Sequence, residues 1–286
     1  LNTIGLVVNS SKGNVAEPVS RLVSWLTERK VTVLYNEESA SLLGLSSGLP
    51  TGELAHQCDC IMVWGGDGTL LNCARQTAAT GTPIFGVNLG RLGFLTEIDI
   101  PDLREKMLAL LAGEYFIEER MMLQATVLRN NEIIDQAICL NDAVVSKGAS
   151  FRMVHLTMKV NGEHVGTFAA DGLILASPTG STAYSLSAGG PIISPEAQVL
   201  LITPICPHLS NRPLVISPES EVEVVVLPAV EDVRLTLDGQ YGVTLKVGDK
   251  IIVKRAPVKA RFLKIQKTSF FDVLRGKLKE WQSGLD

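Results

Sequence analysis

The chain is predicted to be an α/β N-terminal domain, with a doubly wound and mostly parallel sheet, followed by a mostly antiparallel two-sheet β domain. Three changes of pattern predict this. Apolar runs alternate with helical periodicity as far as residue 118, the apolar period becomes two from Glu119, and helical spacing returns after residue 267. With 286 residues there is room for two separate cores. The expected division is residues 1–118, residues 119–267 and a C-terminal helix over 268–286, which packs back onto the first domain because its apolar face needs cover.

Each element follows from its pattern. Thr3 to Val8 reads as a buried strand, and Val19, Leu22, Val23 and Leu26 share one face of a following helix. Strands are expected near Val31 to Tyr35, Cys60 to Trp64 and Pro83 to Val87, then a helix with Leu103, Met107, Leu110 and Leu111 on one stripe. In the second part, Leu156 to Val160 alternates and meets an Asn161-Gly162 hairpin turn. Arg234 to Asp238 alternates in the same way, and such strands recur to Ile265. The tail carries Phe270, Val273, Leu274, Leu278 and Trp281 on one helical face.

Composition restricts the function. The chain has 26 basic and 30 acidic residues, with no basic cluster of the kind that binds nucleic acid. Its 5 cysteines are odd in number and show no C-x-x-C pairing, which favours reduced thiols in a cytoplasmic protein over disulfides or zinc. None of the 4 histidines is spaced as part of a ligand pair. The uncharged stretch from Gly172 to Pro195 is too rich in glycine, proline and hydroxyls to make a membrane helix. The expected partners are therefore small molecules, with no nucleic acid and no membrane.

Chemistry concentrates where the strand Ile61-Met62-Val63-Trp64 breaks into Gly65-Gly66-Asp67-Gly68-Thr69. Gly65, Gly66 and Gly68 carry no Cβ, so phosphates can approach the amide N–H groups, and the backbone is free to take positive φ. Thr69 is expected to cap a helix from Leu70 to Ala79, whose N-terminal dipole favours an anion. Asp67 would be repelled by phosphates unless a divalent cation intervenes or the carboxylate faces a hydroxyl proton. Both arrangements belong to phosphoryl transfer. An Asp-bearing tight turn is the plainer alternative for this loop on its own.

The ligand crevice is expected outside the carboxyl ends of the parallel strands, where this loop sits, with a second set of ligand groups from the β domain. Three segments offer themselves. Asn141-Asp142 is a compact amide and carboxylate pair able to hydrogen-bond a ribose diol, although such pairs mostly mark turns. The run Asp171 to Pro191 packs the hydroxyls of Thr179, Ser181, Thr182, Tyr184, Ser185 and Ser187 among small residues. Asp238-Gly239-Gln240, by itself, reads as a hairpin turn.

These motifs, with Asn88-Leu89-Gly90-Arg91-Leu92-Gly93-Phe94-Leu95 and Thr203-Pro204-Ile205-Cys206-Pro207-His208, occur in the order found in bacterial NAD kinases, and the resemblance spans most of the chain. It implies phosphorylation of the 2′-hydroxyl of the adenosine ribose of NAD to give NADP, with ATP or inorganic polyphosphate as donor and a divalent cation, Mg²⁺ or Mn²⁺, as cofactor. Carried onto matching positions, Asp67 would be the general base, and Gly65, Gly66, Gly68 and Thr69 would hold donor phosphates. Asp67, Gly68, Phe94, Asn141, Asp142, Asp171, Thr182, Ala183, Tyr184 and Ser187 would contact the dinucleotide, Phe94 on its adenine side. No residue is assigned to the metal. Assembly as a homodimer or homotetramer through the β domains is also implied.

The chain departs from the family pattern at three places. Asp142 stands where Glu is usual and is shorter by a methylene. Ala169 replaces an Arg found in some members, which removes a positive charge near the nicotinamide and predicts relaxed discrimination between NAD⁺ and NADH. After His208 the usual Ser or Thr is missing, so His208 and Arg212 are left out of the site. Lipid kinases of the diacylglycerol and sphingosine type share the Gly-Gly-Asp-Gly-Thr loop, but the hydroxyl-rich run favours a polar dinucleotide. A non-catalytic dinucleotide sensor is the other alternative, and it would bind NAD⁺ without consuming ATP.

Overall fold

The computed structural model describes residues 1–11, 15–89, 93–96, 98–149, 152–208, 212–228, 232–267 and 269–283, with side chains described as far as residue 279. Gly90-Arg91-Leu92 and the side chain of Trp281, all singled out above, lie outside it. In chain order the first elements are β1 (Thr3–Val8), α1 (Ala16–Glu28), β2 (Thr32–Tyr35), α2 (Glu37–Leu42), α3 (Thr51–Ala55), β3 (Cys60–Gly65), α4 (Asp67–Thr77), β4 (Ile84–Asn88), β5 (Ile98–Asp99) and α5 (Leu103–Leu111). Then come β6 (Phe116–Arg129), β7 (Glu132–Cys139), β8 (Asp142–Lys147), β9 (Val154–Val160), β10 (Glu163–Ala170), β11 (Gly172–Ala176), the short α6 (Tyr184–Ser187), β12 (Leu200–Ile205), β13 (Leu214–Ile216), β14 (Val222–Leu227), β15 (Val233–Leu237), β16 (Tyr241–Leu245), β17 (Lys250–Lys264) and α7 (Phe270–Ser283).

The chain divides into two units, Leu1–Glu119 with Ala260–Asp286, and Arg120–Lys259. In the first, β4, β3, β1 and β2 lie side by side and run parallel, with β5 and the end of β17 pairing with β4. Ile4, Leu6, Val8, Met62, Trp64 and Phe85 on one sheet face share a core with Val19, Leu22 and Leu26 of α1 and with Leu103, Met107 and Leu110 of α5. On the opposite face α3 and α4 come close: a Cβ on Gly5 would meet Leu54, and one on Gly86 would lie 2.6 Å from Leu70. Helices thus cover both faces of a parallel sheet, the doubly wound plan that the alternating pattern predicts. Since β2 lies on one side of β1 and β3 on the other, the strand order reverses at β1, and the C-terminal ends of β1 and β3 flank a topological switch point.

The second unit is built from two antiparallel sheets. β10, β9, β14 and β17 are consecutive neighbours in one, to which the β6–β7 hairpin belongs. The other has the order β13-β12-β11-β8-β15-β16. Leu123, Leu156, Val224 and Val253 from the first sheet join Val145, Leu173, Leu175, Ile202 and Leu235 from the second in one core, so the sheets pack face to face. The outer face of the second sheet is covered as well, because Val144, Ile174, Ala176 and Leu201 pack with Ala188, Ile193 and Val199. This double burial explains why β11, Gly-Leu-Ile-Leu-Ala, is apolar throughout and does not alternate. Asn161 and Gly162 take φ of 52° and 83° in the β9–β10 hairpin, as the Asn-Gly signal predicts.

Two expectations are corrected. Helix α4 begins at Asp67 with Gly66 as its N-cap, so Thr69 sits in the first turn and caps nothing. None of Gly65, Gly66 and Gly68 has positive φ, and at Gly65 the missing Cβ serves close approach instead. On α7 the Phe270 ring lies 6.3 Å from that of Phe94 and Val273 and Leu274 are half-buried, while Leu278 is 40% exposed, so the apolar face expected there is only partly covered.

Candidate active site

In the first unit, candidate residues gather at the end of β3. That strand is fully buried, and at Gly65 the chain leaves the sheet and enters α4 directly, with Asp67 as the first helical residue. An acid there is favoured by the helix dipole. A Cβ on Gly65 would lie 2.3 Å from Thr69 Oγ1, so only glycine lets the first turn of α4 sit against the strand end. Asn9, just after β1, donates its Nδ2–H to Thr69 Oγ1 at 3.1 Å, and its own N–H bonds the Trp64 carbonyl at 2.9 Å. Asn9 thus ties together the two strands at the switch point. Sequence reasoning missed it, although an Asn directly after the first buried strand is the kind of position that the crevice rule marks.

Asp67 is held from one side by the segment Gly93–Thr96. Its Oδ2 accepts the N–H of Phe94 at 2.9 Å and its Oδ1 that of Leu95 at 3.1 Å. Gly93 fits because it has no Cβ, which would fall 2.0 Å from Oδ1. Thr96, itself buried, closes the turn by accepting the Gly93 N–H at 3.0 Å. One amide on each oxygen offsets the negative charge and fixes the carboxylate plane, while each oxygen keeps a second lone-pair direction for an incoming hydroxyl. The described part of the Asn88–Leu95 motif therefore orients the acid of the glycine loop.

A separate cluster of candidate residues lies in the β unit, around the turn between β7 and β8. Asn141 is half-buried and Asp142 is 4% exposed. Burial first, and the neighbouring Asp238 carboxylate second, push the Asp142 carboxyl up to about 7. Asp238, in the β15–β16 turn, points its carboxylate at the same turn and accepts N–H bonds from Leu140, Asn141 and Asp142. From the other side, Ser177 donates its hydroxyl to the Leu140 carbonyl and accepts the Gly180 N–H at 3.2 Å. Gly180 presses on the turn so closely that a Cβ would lie 2.1 Å from the Asn141 oxygen.

The hydroxyl-rich run separates into two sets. Ser181 is buried and bridges both backbone groups of Ile193, and buried Ser185 bonds Thr203 at 2.9 Å. These hydroxyls hold the run onto the sheet. Thr182 and Ala183 are half-buried, and Tyr184 and Ser187 are exposed, so the proposed dinucleotide contacts are the members of the run left facing outward. Asp171, at the start of β11, forms an ion pair of 2.7 Å with Lys147 of β8. Lys147 went unnoticed in the sequence. It places a cation directly beside the Asp171 carboxylate.

Among the described residues, no group of three or more His, Cys, Asp and Glu side chains is placed to hold a metal ion. Among the same described residues, no helix is long and apolar enough to cross a membrane.

The arrangement of an oriented acid at a glycine-lined helix start and a polar turn in a β unit can be set beside known proteins. Residues 4–115 match the model of the ATP-NAD kinase N-terminal domain, and residues 140–265 that of the ATP-NAD kinase C-terminal domain. The chain is 73% identical over 288 residues to an NAD kinase of Desulforamulus reducens, covering 100% of both. Among solved structures it is similar to yeast NADH kinase complexed with NADH, with a TM-score of 0.85, 26% identity and coverage of 94% of this chain and 84% of that one. It is also similar to an NAD kinase from Archaeoglobus fulgidus in complex with ATP, with a TM-score of 0.77, 25% identity and coverage of 97% and 98%. Both family models and the full-length identity agree with the glycine loop and the two-sheet β unit: the chain belongs to the ATP-NAD kinase family.

Proposed function

We propose that this chain transfers a phosphoryl group from ATP, or from polyphosphate, to the 2′-hydroxyl of the adenosine ribose of NAD, with Asp67 as the general base. The observation that carries the assignment is the Asp67 carboxylate itself, fixed by the Phe94 and Leu95 amides at the first residue of α4. Gly65, Gly66, Gly68 and Thr69 present backbone to the donor phosphates, and the positive end of the α4 dipole stabilises their charge. A carboxylate is a weak base towards a sugar hydroxyl. Asp67 therefore takes the proton late, as attack on phosphorus raises the acidity of the hydroxyl, and positioning supplies most of the acceleration.

On the acceptor side, Asn141 and the Asp142 edge hydrogen-bond the ribose, and Asp171, neutralised by Lys147, serves the nicotinamide end. Thr182, Ala183, Tyr184 and Ser187 line the dinucleotide, and Phe94 serves the adenine. Mg²⁺ or Mn²⁺ fits best as an ion that enters with the donor phosphates, since the described side chains offer no three-ligand group and such ions are commonly bound through one or two carboxylates plus substrate phosphates. No disulfide joins any of the five cysteines, all of them described, and this supports a cytoplasmic location. Exposed Ile133, Ile134 and Val165 in the β unit support assembly into a homodimer or homotetramer.

The test is NADP formation from NAD, followed with an NADP-specific dehydrogenase and run with ATP and with polyphosphate as donor. Failure of metal-supplied, folded protein to form NADP with either donor overturns the proposal, and binding of NAD without ATP turnover marks a sensor. The variant Asp67→Asn is expected to lower kcat by at least about 10²-fold while KM for NAD changes little. Its NH₂ group would also face an amide N–H, so the Gly93–Thr96 turn shifts. Near-normal turnover would exclude Asp67 as the base.

A further inference from the structure

We propose that Asp238 is a positioning residue for the acceptor nucleotide, acting through the Asn141-Asp142 turn. The inference rests on the reading of that turn as the ribose-binding element. Three consecutive amide N–H groups converge on one carboxylate: Leu140 donates to Oδ2 at 3.1 Å, and Asn141 and Asp142 donate to Oδ1 at 2.7 and 3.3 Å. In the reverse direction, the Asp238 N–H donates to the Asp142 carbonyl at 3.0 Å. Successive backbone N–H groups that point inward make an anion-binding concavity, and here the anion comes from the chain itself. The clamp fixes the backbone from which Asn141 projects.

The choice of side chain is informative. Asp238 takes φ of 52° and Gly239 of 65°, and the Gln240 N–H closes the turn on the Leu237 carbonyl at 3.0 Å. Asn suits such a turn as well as Asp does, and without placing a second carboxylate beside buried Asp142. Closing the hairpin alone therefore does not account for the charge. What an Asn could not provide is two acceptor oxygens for three amides, since one of its ends is an NH₂ donor.

The experiment measures steady-state rates of the full-length protein with NAD varied at saturating ATP, and with ATP varied at saturating NAD. Asp238→Ala is expected to raise KM for NAD about 10- to 100-fold, and Asp238→Asn, which keeps one acceptor oxygen, about 3- to 10-fold. In both variants kcat should stay within about threefold and KM for ATP should not move. Asp249→Asn is the control for loosening of the same unit, because it disturbs the Arg129 ion pair and the Lys246 N–H bond and leaves the turn untouched. It should leave KM for NAD at the wild-type value.

Asn141→Ala tests the underlying reading. If it leaves KM for NAD unchanged, the ribose assignment fails and the proposal falls with it. If Asn141→Ala responds while both Asp238 variants do not, the ribose assignment stands and the role of Asp238 is overturned. A fall in kcat with both KM values unchanged reports only a loss of folded protein, and it also overturns the proposal, as does an equal rise in KM for NAD in Asp249→Asn.

Discussion

At the scale of single residues, the candidate site depends on what carboxylates are given as neighbours. Asp67 is held by amides, Asp171 faces Lys147, and Asp142 is buried beside another acid. The last should make the fold sensitive to pH near neutrality. The folded protein retains a proton on Asp142 up to about 7, whereas the unfolded chain releases it near the ordinary carboxyl value of 3.8. The fold thus binds more protons than the unfolded chain in that window, so stability is highest below it and falls as pH rises towards neutrality. Thermal unfolding from about pH 5 to about pH 8 should show a midpoint falling by several degrees, and Asp142→Asn should flatten that dependence. An identical slope in the variant would show that Asp142 is not the group responsible. The window lies above the range in which Asp249, held down by Arg129 and the Lys246 amide, affects stability.

At the scale of elements, the turns matter more than the strands that carry them. The Thr179–Thr182 helical turn lies against the Asn141 carbonyl with no room for a methyl group at Gly180. Gly180→Ala should therefore cost about 1–3 kcal/mol in urea unfolding and raise KM for NAD, since the turn must lift away from its neighbour. Gly166→Ala, with no atom within 4 Å of its Cβ position, should stay within about 0.5 kcal/mol of wild type. Equal effects at the two glycines would contradict the packing described. The sequence marked these turns through glycine and Asx signals, and its buried runs matched β1, β3 and β4 because local hydrophobic patterning is enough to mark a strand. It missed where α4 begins, since Thr69 is as good a cap by composition as Gly66. It also read Asp238 as a plain hairpin residue, because its partner Leu140 is 98 positions away and no local pattern reports such a pairing.

At the scale of the molecule, the cysteines give a simple test of how the two cores are sealed. Cys60, Cys73 and Cys139 are buried, Cys58 is half-buried and Cys206 is exposed. Burial pushes the Cys58 and Cys73 thiols up to about 12 and raises that of Cys60 as well, so none of the three forms thiolate at neutral pH. A disulfide reagent should modify one thiol quickly in the native protein and all five only after denaturation. Rapid native labelling of more than one would mean that a core opens readily.

The chain by itself determined the class of each unit, the glycine loop with its acid and the order of its motifs, because these are properties of neighbouring residues. Only the tertiary structure decided which hydroxyls are consumed by packing, that Lys147 meets Asp171, that Asn9 meets Thr69, and that the amides of Phe94 and Leu95 set the plane of Asp67. These are contacts across long stretches of sequence. They form because strand register and burial bring polar groups together where each must find a partner, and no local pattern specifies which partner that is.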